Sequence, residues 1–180
     1  MSAAEIVKAT TVGEVRSVDV VTSVVDRMQK VNPKLNAIVC DLSDEALKTA
    51  ELLDRARNNG KECGPLHGVP VTIKINVDQK GHSTSNGVFA LKDWMAPDDA
   101  PVVKNLKNAG AIIIGRTNTP EFSFRADTDN ELYGRTNNPW GGHVSAGGSS
   151  GGAGAAVMSG MGALGPVSYT HLTLPTMELV

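Results

Sequence analysis

The sequence predicts an α/β fold in which helices cover a central sheet. Three observations carry that prediction: helical spacing of apolar residues over 17–31, a short β-branched run at 66–74, and a helix after Asp98 or Asp99 that passes straight into the apolar strand 111–114.

Each element follows from local chemistry. Val20, Val21, Val24, Val25, Met28 and Val31 recur three or four apart and so share one helical face, with Ser17 as the expected N-cap and Asp19 in the first turn. Pro33 is expected to block continuation, and 35–40 reads as a short extended piece. Ser43 is expected to cap a second helix through Ala56, ended by Asn58-Asn59-Gly60. The run Leu66-His67-Gly68-Val69-Pro70-Val71-Thr72-Ile73-Lys74 predicts a strand, with Pro70 confined to its beginning or to an edge. That places Lys74 at a strand's carboxyl end. Turn formers Gly81, Ser83, Asn86 and Gly87 make 77–99 a loop-rich excursion. In the third helix Pro101 suits the first turn, Val102, Val103, Leu106 and Ala109 give the buried stripe, and Gly110 supplies the stop. Ala111-Ile112-Ile113-Ile114 follows at once, and a near-continuous apolar strand belongs in a sheet covered on both faces.

With 180 residues the chain can hold one domain with a real core or form part of a larger one. Its formal charge of −2 comes from interleaved acids and bases, so no basic stripe is available for nucleic acid or an anionic membrane, and a small-molecule partner is expected. Cys40 and Cys63 form no CxxC pair and have no metal-type spacing, which suits reduced thiols. No secretory leader is legible, and no run approaches the ~20 apolar residues of a membrane span. A soluble cytoplasmic protein is expected, with oligomeric state left open.

The densest signal is Ser145-Ala146-Gly147-Gly148-Ser149-Ser150-Gly151-Gly152-Ala153-Gly154, two adjacent hydroxyls in a glycine-rich loop. A flexible linker is the plain alternative, but Ala153, Ala155, Ala156, Val157 and Met158 continue as the start of a packed helix. Loops at the carboxyl ends of strands commonly build sites, which makes Lys74 and the Ser149-Ser150 loop candidates for a shared one.

Four segments taken in order, 64–74, 115–122 (Gly115-Arg116-Thr117-Asn118-Thr119-Pro120-Glu121-Phe122), 134–140 (Gly134-Arg135-Thr136-Asn137-Asn138-Pro139-Trp140) and 146–152, closely resemble the amidase signature family over roughly 17–165. The resemblance implies a mixed central sheet flanked by helices, of which 1–165 is the N-terminal part of a single domain. It implies hydrolysis of a carboxylic amide to an acid plus ammonia or an amine through an acyl-enzyme, with no cofactor. It also implies roles: Lys74 is the base, kept neutral by burial and neighbouring hydroxyls, and Ser149 is the serine on a cis peptide bond that relays a proton. Ser149 is preferred over Ser150 by the family's first-serine usage.

Two departures matter. Ile75-Asn76 follows Lys74 where many members have Asp-Asn. More seriously, the family's nucleophilic serine stands in a Gly-Gly-Ser segment about two dozen residues past the relay serine, and nothing of that kind is present here. Thr173 falls near that position but lacks the preceding glycines, and it is read as coincidence. Val167-Ser168-Tyr169-Thr170-His171-Leu172 resembles the translation of a transposase adapter used in sequencing libraries, so 166–180 is expected to be an artefactual, non-family tail. The chain as written is therefore expected to be inactive, or to be an inert structural or binding fragment of an amidase.

Other motifs carry less. Gly160-Met161-Gly162-Ala163-Leu164-Gly165 matches GxGxxG but follows an alanine-rich helix and runs into Pro166, the wrong context for a dinucleotide turn. His67, His82, His143 and His171 show no metal-ligand spacing, and Asp127, Asp129 and Glu131 read as a solvated loop, so no metal is expected.

Overall fold

The computed structural model describes residues 1–167. Helix α1 (Ala3–Val12) opens the chain, followed by α2 (Ser17–Leu35), strand β1 (Ile38–Asp41), α3 (Ser43–Asn58), β2 (Pro70–Lys74), α4 (Pro101–Asn108), β3 (Ile112–Thr117) and α5 (Gly151–Met158). Short 3-10 turns lie at Phe89–Leu91 and Glu121–Ser123. The described strands form one sheet in the order β1-β3-β2, with β1 antiparallel and β2 parallel to β3. The α/β class with a mixed sheet is therefore what the chain adopts.

The sheet is central because β2 and β3 are buried along their whole length. Neighbouring residues of β3 enter different clusters: Ile112 and Ile114 join Val21, Val25, Ala46 and Ala50 from α2 and α3, whereas Ile113 joins Ile6, Val71, Ile73 and Val103. Alternation along a strand sends successive side chains to opposite faces, and each aliphatic side chain fully buried there contributes about 1.5–3 kcal/mol. On its other side β2 meets 163–164, with Thr72 N–H bonded to the Leu164 carbonyl at 3.1 Å and Ala163 N–H to the Pro70 carbonyl at 2.9 Å.

Several boundaries differ from the sequence reading. Ser17 and Ser43 are first helical residues, not caps. The cap of α2 comes from α3, where buried Asp54 accepts from Ser17 N–H at 2.8 Å and Val18 N–H at 3.0 Å. Pro33 does not stop α2, because in a last turn the missing N–H removes only one bond. The end is set by Asn36 in the left-handed region (φ 51), whose N–H reaches the Asn32 carbonyl at 2.7 Å. The strand expected from Leu66 starts at Pro70, since 66–69 turns back on Gly64 and Leu66, and β3 runs on to Thr117. Helix α1 was not read from the sequence, although Ser2 and Glu5 form the reciprocal capping box that marks its start.

Candidate active site

Because β2 and β3 run parallel, their carboxyl ends share one rim, and Lys74 pairs with Thr117 there. The N-terminus of α5 faces the same rim for a steric reason. A Cβ at Gly152 would lie 2.6 Å from both the backbone N and O of Asn118 and 2.8 Å from the Ala37 carbonyl, so only glycine lets the helix start against the ends of β1 and β3. Gly148 is equally confined, its hypothetical Cβ 2.4 Å from the Arg125 carbonyl. The bond between Gly148 and Ser149 is cis.

Lys74 and Ser149 meet on this rim. Nζ of Lys74 lies 2.7 Å from Ser149 Oγ and 3.1 Å from Ser150 Oγ. Both Lys74 (2 % exposed) and Ser149 (1 %) are withdrawn from solvent. Burial pushes the lysine's pKa down from 10.5 to about 8. The direction of that shift favours the neutral amine more than an ordinary lysine does.

A second layer fixes the loop. Thr128 Oγ1 donates to the Gly147 carbonyl at 2.8 Å and accepts from Gly151 N–H at 3.1 Å, bracketing the two serines. Thr119 Oγ1 donates to the Ser149 carbonyl at 3.0 Å. Asn118 takes its place through Asn130, whose Nδ2 reaches the Asn118 side-chain oxygen at 2.8 Å, and through donation to the Gly134 carbonyl at 2.9 Å. Asp127 accepts from Ser145 Oγ and pairs with Arg135 at 2.9 Å, so this carboxylate braces the loop.

The amidase family model matches residues 19–168. This chain belongs to the amidase family. It is 57% identical over 163 residues to an indoleacetamide hydrolase of Bradyrhizobium diazoefficiens, a match that takes in 91% of this chain and 31% of that one. It is 41% identical over 164 residues to an acylamidase of Rhodococcus erythropolis, covering 91% of this chain and 34% of the relative. Among solved structures, a bacterial aryl acylamidase of the amidase signature enzymes superposes with a TM-score of 0.84 at 36% identity, over 90% of this chain and 34% of that one. The chain thus spans about a third of the length of the relatives it matches.

Within this amidase fold, the two residues singled out from sequence are brought together, and Ser150 touches the same lysine. The other motifs sit elsewhere. His82 pairs with Glu45 at 3.3 Å beside α3, Gly160 closes α5 with φ 75, and Met161 packs into the core beside Met28 and Ala156. Thr173 and His171 lie outside the described residues. Thr119, Ser123, Thr128 and Asn130 received no individual role from sequence. For Thr119 the available signal was the polar run 117–119 at the carboxyl end of β3, which is fully buried.

Proposed function

We propose that 1–165 is the N-terminal part of a single domain of a cytoplasmic amide hydrolase, and that it carries the proton-relay half of its active site. The observation that supports this reading best is the 2.7 Å contact between Lys74 Nζ and Ser149 Oγ, inside a chain of the amidase family.

In this proposal a nucleophilic hydroxyl gives its proton to Ser149 Oγ as Ser149 gives its own to the neutral amine of Lys74. The alkoxide attacks the amide carbonyl, and the proton returns by the same route to the departing nitrogen, leaving an acyl ester that water cleaves to the acid. Ser149 stands nearer the lysine than Ser150 and is the relay. The substrate is a small-molecule amide, and neither a cofactor, a nucleic acid nor a membrane takes part. Among the described residues no helix is long and apolar enough to cross a membrane. The nucleophile itself is missing from the chain as written, and from about 166 onward, where the family match runs out at 168, the chain is a non-family tail.

Ammonia release from simple amides, beginning with the indoleacetamide named for the Bradyrhizobium relative, tests this reading. The chain as written is expected to give no turnover above background, and the chain joined to the sequence that natively follows Gly165 is expected to give turnover that K74A abolishes. Lys74-dependent hydrolysis by the 180-residue chain would contradict the missing nucleophile. K74A-insensitive turnover by the extended one would contradict the relay.

A further inference from the structure

We infer that Asn76, Ser123 and Thr119 form a one-way hydrogen-bond chain that positions the relay serine; the inference rests on the proposed role of Ser149. The chain is continuous: Asn76 Nδ2 donates to Ser123 Oγ at 3.1 Å, Ser123 Oγ and Thr119 Oγ1 are 3.0 Å apart, and Thr119 Oγ1 donates to the Ser149 carbonyl at 3.0 Å.

Its direction is fixed by proton supply. A hydroxyl owns one hydrogen, and the Ser149 carbonyl can only accept, so Thr119 spends its hydrogen there. The Thr119–Ser123 contact must then use the hydrogen of Ser123, which leaves Ser123 able to receive from Asn76 only an N–H. The amide of Asn76 is thereby held with Nδ2 toward Ser123, while its Oδ1 is buried without a hydrogen bond among the described residues. Successive donors in one direction polarise one another.

The backbone supports the same reading. Phe122 and Ser123 take φ of 50 and 62, a region non-glycine residues occupy sparingly, and this turn points the Ser123 hydroxyl at Thr119. Asn76 stands two residues beyond Lys74, so one strand end carries both the base and the anchor of the chain that holds the relay serine. Asn76, Ser123 and Thr119 are positioning residues, acting on the reaction through Ser149.

The test exploits the single Ser-Ser step of the sequence. In the 180-residue chain labelled with 13C-carbonyl and 15N serine, only Ser149 and Ser150 give a carbonyl-to-nitrogen correlation, and a carbonyl that loses a hydrogen bond moves upfield. T119V is expected to move the Ser149 carbonyl upfield, and T119S to restore it. The isosteric N76D, whose carboxylate would claim the Ser123 hydrogen and leave one link without a proton, is expected to move it further than the truncation N76A. A purely space-filling role predicts the opposite order. A carbonyl unmoved by T119V, or moved at least as far by N76A as by N76D, would overturn the inference. Should T119V not fold, S123A replaces it, with an upfield shift expected and no shift overturning. Titration of Lys74 in parallel samples of the same variants, labelled with 13C and 15N in lysine, reports on the relay separately, so the two readings fail independently.

Discussion

Lys74 and Ser149, 75 residues apart in sequence, are 2.7 Å apart at Nζ and Oγ because a parallel strand end and a glycine-spaced helix start converge on one rim of the sheet. The buried amine is the energetic cost of that arrangement, and its partners are hydroxyls of a loop held by Thr119 and Thr128.

That cost is measurable as pH-dependent stability. Unfolded, Lys74 keeps its proton up to 10.5, and folded only to about 8, so folding releases a proton between these values and stability rises with pH across that window. Below the folded value the whole penalty is present. K74M removes it and is expected to raise unfolding stability near pH 7 by on the order of 3 kcal/mol, less what the lost hydroxyl contacts contribute. The gain should shrink as pH rises toward 10.5, as read by urea melts across the pH range. A gain independent of pH would mean that apolar packing, not the ammonium, accounts for it.

Asp54 joins two helices by capping one from the other. D54A strips the acceptors from Ser17 and Val18 N–H and should cost about 1–2 kcal/mol, whereas D54N keeps one acceptor oxygen and should cost less. Equal losses in the two variants, measured by denaturant unfolding, would show that the cap is not what Asp54 supplies.

The glycines of α5 divide by what surrounds them. A methyl group at Gly152 meets Asn118 backbone atoms at 2.6 Å, so G152A should displace the helix start and cost upwards of about 2 kcal/mol. At Gly154 nothing lies within 4 Å of the added carbon, so G154A should gain roughly 0.5–1 kcal/mol by helix propensity. Thermal melts of the two variants should shift in opposite directions; a shared direction would contradict the close-approach argument.

How much of this was legible in the sequence depends on the type of signal. Apolar spacing located α2 and α4, cap and stop residues located α3, and short β-branched or apolar runs located β2 and β3, because burial and chain ends leave local patterns in the chain itself. Such patterns could not place the cap of α2, since the acceptor Asp54 lies 37 residues from Ser17 and only packing joins them. Pro33 misled because proline's effect depends on where in the helix it falls, and Asn36 gave the true stop. At the site, Lys74 and Ser149 stood out through motif resemblance. Thr119, Ser123 and Thr128 did not, because a hydroxyl that orients a backbone carbonyl has no spacing rule of its own.

The proposed relay depends most directly on the state of one amine. Titration of the Lys74 side chain, followed by 15N and 13C resonances in the 180-residue chain and in S149A, is expected to give a midpoint of about 8 in the parent, moved when the Ser149 hydroxyl is removed. A midpoint at the ordinary 10.5, unchanged in S149A, would contradict a buried lysine coupled to the relay serine.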